Sequence, residues 1–155
     1  MVLGACSDSS DSEDHGSSDI TAVGNILYGG TNTAIDAALT RSACERLGSL
    51  IFRSPQGHVL ATFVPGSGGV SVGTFDMQYV DDGRPTGWLN TGMPSLITFE
   101  GTTEITSVTA SEVRGTITWR VALPPGIGQE PDTTLGTVQM TGMFRAVRPD
   151  IADCQ

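Results

Sequence analysis

Two stretches of the chain alternate apolar and polar residues with a period of two. From Val113 to Val121, Val113, Ile117, Trp119 and Val121 share one parity, while Arg114, Thr116, Thr118 and Arg120 share the other. From Val138 to Ala146, Val138, Met140, Phe144 and Ala146 alternate with Gln139, Thr141, Met143 and Arg145. Successive strand side chains point to opposite faces, so each stretch predicts a strand with one dry face and one wet face. Gly115 and Gly142 both sit on the dry parity, two residues before a large apolar side chain. That placement predicts a bulge, or a point where a ring or another backbone comes close. The two strands are expected at the centre of an antiparallel β-fold, with Trp119 in its core.

The remaining pattern is one of short strands and turns. Ile20 to Tyr28 reads as a strand ending at the hairpin turn Gly29-Gly30. Residues 33–47 admit two readings. Thr33 with Asp36 resembles a capping box and Gly48 a helix stop, which suits a helix. The Gly29-Gly30 turn instead invites a return strand over Thr33 to Leu39, and this reading is the favoured one. Leu47 to Arg53 and His58 to Val64 form a hairpin about Ser54-Pro55-Gln56-Gly57. Val70 to Val80 is expected as a strand with Phe75, Met77 and Tyr79 on one parity. Trp88 falls in a Gly- and Pro-rich excursion ending near Pro94. Leu96 to Glu100 and Thr103 to Val108 follow around a turn at Gly101, and Leu123 to Thr134 reads as a loop. The sum is an all-β fold: an antiparallel β-sandwich, or flattened barrel, of about eight or nine strands. A short helix near 33–47 is the alternative to one of them.

Composition adds a tail to this picture. The chain has 155 residues and a net charge of −9, and its eight basic residues are all arginine. Five acids fall between Ser7 and Asp19, leaving twelve acids against eight arginines in the rest. Ser7 to Asp19 has no large apolar residue to offset its ordering entropy, so residues 1–19 are expected to hold a disordered tether and 20–155 the β-domain. An acidic chain is a poor partner for nucleic acid, whose phosphates require a basic surface. The same charge disfavours attraction to anionic lipid.

Leu3-Gly4-Ala5-Cys6 resembles the lipobox of bacterial lipoproteins: an apolar residue, two small residues, then the cysteine that receives lipid. A basic and an apolar region precede such a box in that family. Here only Met1-Val2 do, so residues 1–5 read as a signal-peptide remnant. Gly73-Thr74-Phe75, Val113-Arg114-Gly115-Thr116-Ile117, Gly142-Met143-Phe144 and the late Cys154 extend the likeness. Together they resemble the small β-sandwich lipoproteins of bacterial cell envelopes. The resemblance implies attachment to a membrane through lipid on Cys6. Ser7 after the cysteine resembles an outer-membrane sorting signal. An exported protein is oxidised, so Cys44 and Cys154 are expected to form a disulfide. Two free buried thiols in a cytosolic protein are the alternative.

Candidate chemistry is sparse. His58, beside a turn, is the one histidine of the β-domain and has no Gly-x-Ser-x-Gly elbow to serve. Glu100 and Glu104 flank Gly101 and resemble a glycosidase pair only if a turn brings them together. Asp81 and Asp82, with Asp76, are weak oxygen-ligand candidates for calcium. The cysteine spacing suits no metal, and no cofactor is expected. Trp88 is the best ligand-contact candidate, because an exposed indole stacks on sugars and anchors protein partners; the other reading, and the favoured one, is that it caps one end of the core. The expectation is a non-catalytic binding or structural domain whose ligand is an unknown protein or glycan. A small secreted carbohydrate-active hydrolase is the alternative, as is an appendage or assembly subunit with an unpaired sheet edge.

Overall fold

The computed structural model describes residues 14–79, 83–125 and 130–148. Its centre is the pair β10 (Glu112–Ala122) and β11 (Val138–Val147), antiparallel from Glu112 opposite Val147 to Val121 opposite Val138. The dry parities are buried throughout: Val113, Ile117, Trp119 and Val121 on β10, and Val138, Met140, Phe144 and Ala146 on β11. Both dry-face glycines are points of close approach. A Cβ on Gly115 would lie 2.9 Å from Cζ of the Phe144 ring, and one on Gly142 would lie 2.5 Å from Cα of Ile20.

Among the described residues, nine further strands surround this pair. They are β1 (Ser17–Ser18), β2 (Thr21–Tyr28), β3 (Thr31–Ala38), β4 (Ser42–Arg46), β5 (Ser49–Arg53), β6 (Leu60–Val64), β7 (Gly73–Asp76), β8 (Thr86–Asn90) and β9 (Leu96–Val108). β4, β5, β6, β8, β9, β10 and β11 form a closed circuit, because β11 pairs with both β10 and β4. The fold is therefore a seven-stranded barrel with four added strands: the barrel form of the expected all-β fold rather than its sandwich form. One twisted layer wraps the core, where a sandwich would stack two. Five rings line its interior in three edge or tilted contacts: Phe52 with Phe144, Phe63 with Phe75, and Phe63 with Trp119.

Residues 33–47 contain strands and no helix. Gly29 and Gly30, at φ 60° and 80°, make the two-residue turn that returns the chain as β3. Two expected boundaries move. The strand foreseen over Val70 to Val80 is confined to Gly73–Asp76. Leu96 to Glu100 and Thr103 to Val108 are one strand, β9, which runs through Gly101 without a turn.

The closing seam is the least regular part of the barrel. β4 and β11 meet in a single parallel bridge, Cys44 with Val147. The rest of the β11 edge pairs with β2 at Val138–Thr141 and with β1 at Phe144 and Arg145. On the other side, the Ala43 N–H donates to the His15 carbonyl at 2.9 Å. Residues 14–24 thus fill the wedge between the two barrel strands.

Candidate functional site

Trp88 belongs to strand β8, not to a loop as its Gly/Pro surroundings suggest. It pairs with Thr62 of β6 on one side and Ile97 of β9 on the other. Leu89, the next residue, points into the barrel and is fully buried. Alternation therefore turns Trp88 onto the outer wall, where it is half-buried. It lines a groove of about 360 Å³ with Ser95, Ile97 and Pro124. Pro124 also lines a second groove, of about 370 Å³, with Tyr28, Pro94, Leu123 and Leu135, where Glu130 and Asp132 supply carboxylates. Further along β9, Phe99 lies 5.2 Å beneath the Arg120 guanidinium, which pairs with Glu100 at 2.8 Å. The outer wall thus carries an indole, two branched or cyclic apolar side chains and a cation-covered phenyl ring. Such a surface stacks on flat apolar groups and has polar partners at its rim.

A second constellation, which the sequence reading missed, lies at the seam. The Arg145 guanidinium grips the Asp14 carboxylate with two nitrogens, at 2.9 and 2.7 Å, and also reaches Glu112 at 3.2 Å. Glu112 pairs with Arg114 at 2.6 Å. These contacts lower the pKa of both acids. Asp14 is held at about 2, chiefly by the hydrogen bond from Arg145 and then by that from the Gly16 N–H. Glu112 is lowered by Arg114 first and Arg145 second. Between these charges Gly16 is wedged with φ 75°, and a Cβ there would lie 1.9 Å from the Ala43 carbonyl oxygen. Asp19 completes the staple: its N–H donates to the Met143 carbonyl, and its carboxylate accepts from the Met143 N–H. Residues 14–19, assigned by composition to the tether, lie against the barrel. The signal available in the sequence was a lone glycine inside an acidic run that ends two residues before Thr21.

The other candidates do not converge. His58 stands exposed after the β5–β6 turn. Glu100 and Glu104 lie four residues apart on one strand, which separates their backbones by roughly 13 Å. Glycosidase carboxylates stand about 5 to 9.5 Å apart, and no turn folds this pair together. Asp76 is exposed at the end of β7, whereas Asp81 and Asp82 lie outside the described residues. Among the described residues, no three His, Cys, Asp or Glu side chains are grouped to hold a metal. Cys44 is buried at the seam; Cys6 and Cys154 lie outside the described residues. Comparison of the chain with protein-family models, with curated proteins and with solved structures finds no match.

Proposed function

We propose that this protein is a bacterial cell-envelope lipoprotein, anchored through Cys6, whose barrel is a non-catalytic binding module. The outward-facing Trp88 groove carries the reading. Indoles are costly to leave in contact with water, and a packed barrel has room for them inside, as Trp119 demonstrates. Trp88 instead lies on the wall with Ile97 and Pro124, in the geometry of a stacking platform. The ligand is a glycan or protein segment that lays an apolar face on the indole and meets the carboxylates beyond Pro124. The acidic stretch before Asp14 spaces the barrel from the membrane, and Cys44 pairs with Cys154 in the oxidising envelope.

Two measurements test the two halves of this reading. Palmitate labelling of the full gene product should mark the wild type and not Cys6→Ala. An unlabelled wild type removes the anchor. Titration with soluble cell-wall glycan fragments should shift the fluorescence of Trp88, with Trp88→Phe as control and the buried Trp119 as the internal reference. An identical response from Trp88→Phe removes the site.

A further inference from the structure

The β2–β3 hairpin projects from the barrel, and its outer strand has one edge without a strand partner. β3 pairs with β2 alone among the described residues. The Leu39 N–H donates to the Ile20 carbonyl, which fixes the alternation of the ladder. Residues 31, 33, 35 and 37 then bond inward to β2, while the N–H and C=O groups of Asn32, Ala34, Asp36 and Ala38 point away from it. No hydrogen bond from these four residues to any other group is present beyond that ladder. All four are exposed. Natural edges are blunted by charged side chains, above all lysine, by proline or by a bulge. β3, with the sequence Thr-Asn-Thr-Ala-Ile-Asp-Ala-Ala, has no lysine, proline or bulge; its one charge is Asp36, and it pairs with β2 in unbroken register.

The edge also faces a groove. About 220 Å³ of space lies along it, lined by Thr33, Ile35 and Ala37 on the strand side and by Val59, Thr91 and Met93 on the far side. The Thr91 hydroxyl has no hydrogen-bond partner. On the outward face of the same hairpin, Val23 is 53% exposed and Leu27 41%.

We propose that the free edge of β3 is a strand-addition site for an extended segment of a partner protein. The segment carries small apolar residues at alternate positions and basic residues between them. Main-chain pairing with Asn32, Ala34, Asp36 and Ala38 supplies its affinity. Alternate side chains drop between Ile35, Val59 and Met93, and those between them stand beside Asp36. Two features select this occupant over a second copy of the chain. The far wall leaves a groove open to a single strand, whereas β3 of another copy arrives with β2 attached. Each copy also carries a net charge of −9, and antiparallel self-pairing centred on Ile35 places the two Asp36 carboxylates on diagonal positions of one face. A basic segment turns that repulsion into attraction. The site is independent of the Trp88 groove.

The probe is an acetylated, amidated octapeptide of alternating valine and lysine, added to the full chain. Bound at the edge, it should slow amide exchange of Asn32, Ala34, Asp36 and Ala38 by about tenfold or more. Thr33, Ile35 and Ala37, already bonded to β2, should change little. Ala34→Pro removes one outward N–H at a position where an edge strand tolerates proline, and should weaken binding by about tenfold with the melting temperature retained. A peptide of alternating valine and glutamate should bind more weakly than the lysine peptide. The proposal is overturned by an absence of protection at millimolar lysine peptide, or by equal binding to Ala34→Pro. It is also overturned if the wild type sediments as a dimer that Ala34→Pro dissociates, since the edge then belongs to a second copy.

Discussion

The indole nitrogen of Trp119 donates to the Thr103 hydroxyl across the β9–β10 pair at 2.9 Å, with both residues fully buried. The Thr103 hydroxyl in turn faces the Met77 sulfur at 3.4 Å. Trp119 is the largest side chain in the core, and this is how its one polar atom is satisfied there. Thr103→Val keeps the shape and removes the acceptor, leaving a buried donor without a partner. The expected loss is about 1–3 kcal/mol of unfolding free energy, measured by denaturant titration. Thr103→Ser keeps the acceptor and should recover most of the hydrogen-bond share. A loss from serine with none from valine would show that the methyl group matters and the hydroxyl does not.

Gly16 is the hinge pin of the seam. Its φ of 75° disfavours any L side chain, and the Ala43 carbonyl occupies the place of a Cβ. Gly16→Ala should displace residues 14–19 from β4 and β11, exposing the Ala43 N–H to exchange and the segment to protease. Gly29→Ala provides the comparison, because Gly29 has φ 60° but nothing within 4 Å of an added Cβ. It should cost only the backbone term, about 1–2 kcal/mol, and leave the seam closed. If the two variants behave alike, the wedge contributes nothing beyond its dihedral.

The same segment gives the seam a pH dependence. Asp14 has its pKa depressed from 3.8 to about 2 by Arg145 and the Gly16 N–H. A carboxylate depressed on folding adds stability that is complete above its unfolded value and is lost as pH falls through its folded value. The window therefore runs from about 4 down to 2, and Glu112 shifts in the same direction. Asp14 is more than half exposed, so solvent screening limits its share to about 1 kcal/mol or less. Amide exchange at Ser17 and Ser18 should accelerate across that window in the wild type. In Asp14→Asn the Asp14 share of this dependence should vanish; an unchanged profile would assign it elsewhere.

What the sequence made legible follows the period of two. On β10 and β11 each apolar position contributes to one dry face, and Trp119 and Phe144 are buried where alternation puts them. Closure of the barrel is different. It depends on one bridge between Cys44 and Val147 and on a polar segment inserted beside it, and neither has a hydrophobic period. Composition assigns Asp14 and Asp19 to a solvated tether, because their contacts are ionic and main-chain and composition cannot register these. The glycine and prolines near Trp88 predict a loop there. Its strand is imposed by Thr62 and Ile97, 26 and 9 residues away along the chain. A local reading has no access to either partner.

The seam also bears on the cysteines. Cys44 is 1% exposed and is bridged to Val147, seven residues before Cys154. Seven extended residues reach up to roughly 25 Å, so chain length places no obstacle to a bond between the two. Such a bond would lock β4 to the segment following β11 at the one place where the barrel has a single bridge. It encloses a loop of about 110 residues, for which the chain-entropy model gives about 4–5 kcal/mol. The expected outcome is that neither thiol alkylates in the unfolded, unreduced protein, and that both do so after reduction. Reduction should also lower the denaturant midpoint and raise exchange at the Ala43 and Arg148 amides, which sit on either side of the bridge. Alkylation of Cys44 and Cys154 without reductant would overturn the pairing and would remove the oxidising compartment from the argument for an envelope protein.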